Sequence, residues 1–321
     1  MPSNSVLYYP YIRVPDSIWF TQMLLYWDHV NTITPREFVE NPDKLDEHTI
    51  ALVREGLVDQ IVPGAYAQRI PDFSRAFIEY LASLGGQQLS ARQREFAATP
   101  DASFFIHVEK LHGLADELQD LRLALSDSHS WLKVERETAM DFMQYLAASL
   151  GRLEELSALP VTDDPECLQH FVLRSSPAEE INTLRVRVLG DLLPAPTESL
   201  GPAELARFKA RSGDDLARFR RRIEVELIDM LAVEDETLRE ERIQLFLESA
   251  KDEIEYISDL MKKNGWLRTN LVRLSAVVPS IAGVNPLAGL AFAVVGAFGQ
   301  QSKMTSYSPF LYAAEARRLV A

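Results

Sequence analysis

Residues 274–302 form a run of 29 amino acids without one charged side chain, directly after a stretch in which almost every third residue is charged. A run of this length either threads through a protein interior or meets lipid, and the two fates imply different folds. Pro279 and Pro286 divide it. Its most lipid-like piece, Leu287 to Gly299, has 13 residues, short of the roughly 20 that a helix needs to cross a bilayer. Within that piece Gly289, Ala293 and Ala297 recur every four residues, a spacing that lets another helix approach closely in a membrane or in a soluble bundle. The length argument favours a buried helical element, with a membrane-inserting or re-entrant segment as the alternative.

Composition supports the first option. A chain of 321 residues with 47% hydrophobic and 25% charged residues has the balance of a folded soluble protein. The single cysteine, Cys167, forms no internal disulfide, and the amino terminus lacks the basic start and long apolar stretch of a secretory signal. A reducing cytoplasm is therefore expected. The formal charge of −14 is uneven: residues 1–200 carry 16 Lys+Arg against 30 Asp+Glu, and the remainder carries 17 of each. Such an acidic surface repels phosphate backbones, so general nucleic-acid binding is disfavoured for residues 1–200 and has no support in the remainder.

The amino-terminal part alternates short apolar runs with amphipathic stretches. Val6 to Ile12 reads as a strand, and Pro10 inside it argues for an edge or a strand end. Asp16 is placed to cap a helix carrying Trp19, Met23, Tyr26, Trp27 and Val30 at helical spacing. Further strands are expected at Asn31–Thr34, Leu57–Val62, Ser103–Val108, Trp131–Val134, Leu159–Thr162 and Leu184–Leu189. Helices are expected near residues 45–55, 73–84, 113–125 and 136–157, the last with Ala139, Met143, Leu146, Leu150 and Leu153 on one face. This order predicts an α/β (or α+β) amino-terminal domain whose parallel strands are joined by helical crossovers.

Leu193-Pro194-Ala195-Pro196 and then Gly201-Pro202 continue neither a helix nor a central strand, which sets the expected domains at 1–192 and 193–321. Beyond the break, Leu216, Phe219, Ile223, Leu227 and Met230 form one apolar stripe. Ile243, Phe246, Leu247, Ala250, Ile254, Ile257 and Met261 form another. The two stripes predict a mostly α-helical carboxyl-terminal domain containing a long antiparallel hairpin. Thr237 with Glu240 fits a capping box at the second helix, and Lys262 to Gly265 fit its end. Leu311 to Leu319 reads as a closing helix.

A family resemblance rests on Leu7-Tyr8-Tyr9-Pro10-Tyr11-Ile12, Trp19 and Leu25-Tyr26-Trp27-Asp28, with Met143-Gln144-Tyr145-Leu146-Ala147, Pro160-Val161-Thr162-Asp163 and Leu193-Pro194-Ala195-Pro196 as later landmarks. These residues resemble an uncharacterised bacterial family classed as a domain of unknown function, over residues 6 to about 230. The resemblance implies a bacterial cytoplasmic setting and no activity, cofactor or catalytic residue.

Candidate chemistry sits where strands end, because open α/β sheets bind ligands at the carboxyl ends of their strands. Arg13, Lys110, Glu135, Asp163 and Asp164 meet that description, and His107 lies within its strand. Asp163 and Asp164 could bind a metal or act as acid and base, but neighbours on an extended segment point in opposite directions, so one at most faces a given site. The simpler reading is that Thr162 to Asp164 cap the next helix ahead of Pro165. No second His or Cys accompanies His107 at metal-ligand spacing except His112 beyond the strand end, so no metal and no cofactor are expected.

A second polar cluster comprises Arg207, Lys209, Arg211, Arg218, Arg220, Arg221 and Arg222, offering either a site for phosphate or an acidic partner or a solvated helix face neutralised by Asp214, Asp215, Glu224 and Glu226. Three functions remain open. A bacterial interaction or regulatory protein would associate with itself or a protein partner through its helical domain. A hydrolase-like enzyme would work at the strand ends, and a membrane-acting effector of phage defence or another suicide response would use residues 274–302.

Overall fold

A computed structural model describes residues 4–100, 103–164, 167, 177–194, 201–263 and 308–319. The uncharged run 274–302, with Gly289, Ala293 and Ala297, lies outside these residues. The described residues fall into two compact units, one drawn from Met1–Ser176 and Ser199–Phe208, the other from Pro177–Glu198 and Lys209–Ala321. Together they combine a parallel sheet, a small antiparallel sheet and many helices in a mixed α/β protein.

The strands of the first unit are β1 (Ser5–Tyr8), β2 (His29–Ile33), β3 (Val58–Ile61), β4 (Phe104–His107), β5 (Ala124–Ser126), β6 (Trp131–Val134) and β7 (Ala158–Val161). Its helices are α1 (Ile18–Tyr26), α2 (Arg36–Glu40), α3 (Glu47–Arg54), α4 (Pro63–Ala67), α5 (Phe73–Ser83), α6 (Gly86–Ala98), α7 (Val108–Leu111), α8 (Ala115–Asp120) and α9 (Arg136–Gly151). The parallel sheet has the order β3-β2-β1-β7. Strand β1 is therefore central rather than at an edge. The expected difficulty with Pro10 disappears because pairing ends before it, at Tyr9, whose N–H donates to Val161 O at 3.1 Å.

A sheet covered on both faces needs apolar side chains in both directions, and β1 supplies them. Leu7 and Tyr9 join the core built on α5, α8 and α9, while Tyr8 meets Phe20 of α1 edge-on at 5.6 Å. Helix α1 is capped one residue later than expected, by Ser17, whose Oγ accepts from Phe20 N at 3.2 Å.

Ser103–Val108 and Trp131–Val134 do form strands, yet they leave the parallel sheet and pair antiparallel as β4-β6-β5. Connection length explains this. Only Asp127 to Ser130 separate β5 from β6, and a parallel neighbour would need a crossover of about a dozen residues. Strand β5 also occupies the end of the segment expected as helix 113–125. Helix α8 stops at Asp120, and Arg122 takes a left-handed conformation, φ 56°.

Helix α9 buries Ala139, Met143, Leu146 and Leu150 as its periodicity requires. Its end approaches β7 so closely that a Cβ on Gly151 would overlap the carbonyl oxygen of Ala158, and this position therefore takes glycine.

Further helices are α10 (Pro177–Leu192), α11 (Pro202–Arg211), α12 (Gly213–Leu231), α13 (Glu236–Lys263) and α14 (Leu311–Leu319). The division between the units falls within α11. Leu184–Leu189, expected as a strand, belongs to α10. Its apolar/charged alternation mimics a strand, but Leu184, Val188, Leu189 and Leu192 are buried at helical spacing while Val186 is exposed. Arg185 is buried and gives Glu224 a bidentate pair, both N–O distances 2.7 Å.

Both stripes on α12 and α13 are buried as far as Ile257; the side chain of Met261 lies outside the described residues. Burying each such side chain contributes about 1.5–3 kcal/mol. Phe219 of α12 stacks on Tyr312 of α14 at 5.9 Å. The expected capping box at Thr237 does not form. Asp235 Oδ1 accepts from Leu238 N at 2.9 Å, while Glu240 receives Arg187 and Gln244 instead.

Candidate functional site

Sheet order locates the site. From β1 the chain moves outward through β2 to β3, and it returns on the other side of β1 as β7, so the direction of winding reverses between β1 and β7. In open α/β sheets ligands bind outside the carboxyl ends of the strands at such a reversal, and here two tyrosine–aspartate hydrogen bonds join the ends of β1 and β7. The β7 loop presents Asp163 and Asp164 to different partners, as adjacent residues on extended chain must. Tyr8 donates to Asp163 Oδ1 at 2.9 Å and Tyr11 donates to Asp164 Oδ2 at 2.6 Å. Burial, then the neighbouring aspartate, raises the pKa of each phenol, so both hydroxyls act as donors at neutral pH. Asp164 N donates to Thr162 Oγ1 at 3.0 Å in a local turn.

Between the β1 loop and the antiparallel sheet lies a cleft of about 420 Å³, within the usual range for ligand pockets. Tyr11, Ile12, Phe38, Phe104 and Trp131 give it mostly apolar walls, and Arg13, His107 and Lys110 supply its nitrogen groups.

His107 ends β4 and begins α7, where its Nδ1 accepts from Glu109 N at 3.2 Å. The proton of the neutral ring therefore sits on Nε2. That atom lies 3.5 Å from Glu37 Oε1 and has no hydrogen-bond partner among the described residues. Burial lowers the His107 pKa, against an opposite pull from Glu37 and Glu109. Trp131 meets the ring edge-on at 5.2 Å.

Lys110, one helical turn further, is 3% exposed. Its Nζ donates to Pro10 O at 3.2 Å, and no carboxylate of the described residues lies within ion-pairing distance. Burial alone lowers its pKa to about 7.

The other candidates are engaged elsewhere. Glu135 caps α9, accepting from Glu137 N, Thr138 N and Thr138 Oγ1 at 3.0, 2.8 and 2.6 Å. Arg13 stands at the rim, donating to Lys44 O at 3.2 Å and facing Asp46 at 3.8 Å. The cleft thus gathers His107, Lys110 and Arg13, while its lining includes neither Glu135 nor Asp163. Among the described residues no group of His, Cys, Asp and Glu has the geometry of a metal site. Cys167 is buried with its Sγ against Met140 Sδ at 3.0 Å.

The first unit also holds a buried polar network that sequence reasoning missed. Arg92 of α6 reaches Asp141 at 2.8 Å and Glu137 at 2.9 Å, and Tyr80 donates to Asp141 at 2.9 Å. An arginine followed at a distance by Glu137 and Asp141, four apart on one helix face, was the only available hint.

In the arginine-rich cluster, Arg218 pairs with Asp215 and Arg222 pairs with Glu226 at 2.8 Å within α12. Arg207, Arg211 and Arg221 lie on exposed positions, and Arg220 is buried. No helix among the described residues is long and apolar enough to cross a membrane. No family model, no curated protein and no solved structure matches the chain.

Proposed function

We propose that this chain is a bacterial cytoplasmic interaction or regulatory protein that assembles with a second copy of itself through its carboxyl-terminal helices, α12 and α13 forming an antiparallel hairpin. The observation that carries this reading is an apolar line on the outer side of α13. Leu238, Leu245 and Tyr256 are exposed by 57%, 64% and 58%. They stand seven and then eleven residues apart, which brings all three onto one helix face. Val225 and Ile228 are exposed on α12, and Arg242 pairs with Asp229 across the two helices at 3.3 Å. An antiparallel pairing of two copies level with Leu247 sets Leu238 against Tyr256. It would also oppose Leu245 to Ser249 and bring Arg242 level with Asp252.

Sedimentation of the full chain at micromolar concentration tests this. A dimer that becomes monomeric in Leu245→Arg with unchanged helicity supports the reading; a strictly monomeric wild type removes it.

A second reading is favoured by the cleft. A concave, mainly apolar space holding a buried lysine suits a small-molecule site, and the regulatory reading gives such a ligand a role as effector. Mass spectrometry of the protein isolated under non-denaturing conditions tests it directly. A co-purifying small molecule lost on Trp131→Ala supports it, and an empty protein that also binds no small organic acid or amide excludes it.

A further inference from the structure

We propose that the cleft takes an apolar monocarboxylate, an aromatic or medium-chain acid whose carboxylate seats on Lys110 while its body lies against Tyr11, Ile12, Phe104 and Trp131. The proposal rests on the small-molecule reading of the cleft and specifies its ligand.

The argument begins with an imbalance. An ammonium has three donors, and Lys110 places one on Pro10 O. It is buried without a carboxylate partner among the described residues, although buried charges in proteins are normally paired. Glu109, its immediate neighbour, is turned away and accepts from Arg36 N at 2.6 Å. Glu37 lies beside His107, and Asp163 and Asp164 are held by tyrosines. Each of these carboxylates is engaged elsewhere, and burial alone shapes the electrostatics of Lys110.

An alkyl side chain at this position would satisfy the core without that cost, so the amine marks a place where negative charge arrives from outside. Burial brings the amine's pKa to about 7, so near neutral pH it is divided between its charged and neutral forms. An arriving carboxylate would favour the charged form.

The number of cations sets the ligand class. Phosphate sites collect an arginine fork or several backbone N–H groups. Here the one arginine, Arg13, stands at the rim and is already engaged by Asp46 and Lys44 O, which leaves a single buried cation suited to a monoanion. The mainly aromatic and aliphatic walls select an apolar body, and about 420 Å³ accommodates one of roughly ten non-hydrogen atoms with room for ordered water.

Titration calorimetry of the full chain at pH 7 tests the assignment with 3-phenylpropanoate and octanoate, beside the primary amides of the same acids and hexyl phosphate. The expected result is that the carboxylates bind about tenfold or more tightly than their amides, and that Lys110→Met removes the difference. Equal binding of acid and amide to the wild type, a preference that survives Lys110→Met, or tighter binding of hexyl phosphate would overturn the monocarboxylate assignment and leave the small-molecule reading standing. Failure of every acid and amide to bind would overturn both.

Discussion

Among the described residues of the first unit Arg92 and Lys110 are buried cations, and their surroundings are opposites. Arg92, 4% exposed, is enclosed by Asp141, Glu137 and Thr138, with Tyr80 closing the network on Asp141. Lys110 is as deeply buried and has one backbone carbonyl. Since burial of a charge costs several kcal/mol unless partners compensate, the first arrangement is complete in itself and holds α5 and α6 against α9. The second is incomplete, and it lies on the wall of the cleft between the β1 loop and the antiparallel sheet. The contrast separates a charge kept for architecture from one kept for recognition.

The largest test of that contrast is Asp141→Ala, which strands Arg92 and the Tyr80 hydroxyl in the interior. Denaturant unfolding should show a loss of about 3–5 kcal/mol, and a loss below about 1 kcal/mol would mean the network relaxes outward.

Lys110→Met should act with the opposite sign. The folded-state pKa of Lys110 is depressed from 10.5 to about 7. Between those values the unfolded chain holds a proton that the folded chain does not, so wild-type stability rises with pH across this window and the burial penalty is full below pH 7. Methionine removes the penalty. Stability at pH 6 should therefore rise by about 1–4 kcal/mol, the range found when buried charges give way to apolar residues, and the gain should shrink toward pH 10. Destabilisation at pH 6 would place Lys110 with Arg92 as an architectural cation.

A smaller effect is expected at Glu135, whose carboxylate serves the start of α9. Glu135→Ala should cost about 1–2 kcal/mol, the usual value of a good cap, and should leave carboxylate binding in the cleft unchanged. The smallest concerns the helical unit. Leu245→Arg should move monomer stability by no more than about 0.5 kcal/mol because the side chain is exposed, while sedimentation shows the dimer lost.

Much of the architecture was legible where one period dominated. The stripes of α12 and α13 follow helical spacing over about four turns each, and they are buried through Met230 and Ile257. The apolar runs before Ile33, Ile61 and Val161 are strands because short β-branched segments between turn residues have few alternatives. Pairing was not legible, since pattern marks a strand but carries no record of its neighbour; hence β4 and β6 were assigned to the wrong sheet. Leu184–Leu189 fits both periods, and only the burial of Arg185 with Glu224 decides between them. Helix α6 escaped notice because Arg92 and Phe96 alone are buried along its length. Caps slipped by a residue or two because Asp16 and Ser17, and Asp235 and Thr237, are equally competent acceptors in adjacent places.

The site divides in the same way. His107, Lys110 and Arg13 could be named from their position near strand ends. That Lys110 is buried without a counter-charge depends on where Glu37, Glu109 and Asp164 turn, which is long-range information.

The contact between Gly151 and Ala158 gives the cleft a remote adjuster. Strand β7 lies where it does because the last turn of α9 carries a hydrogen atom in place of a methyl group, and β7 in turn anchors the loop whose aspartates hold Tyr8 and Tyr11. Alanine at 151 would work as a wedge, prising the strand sideways and unfastening Tyr11 from the mouth of the cavity without touching a residue inside it.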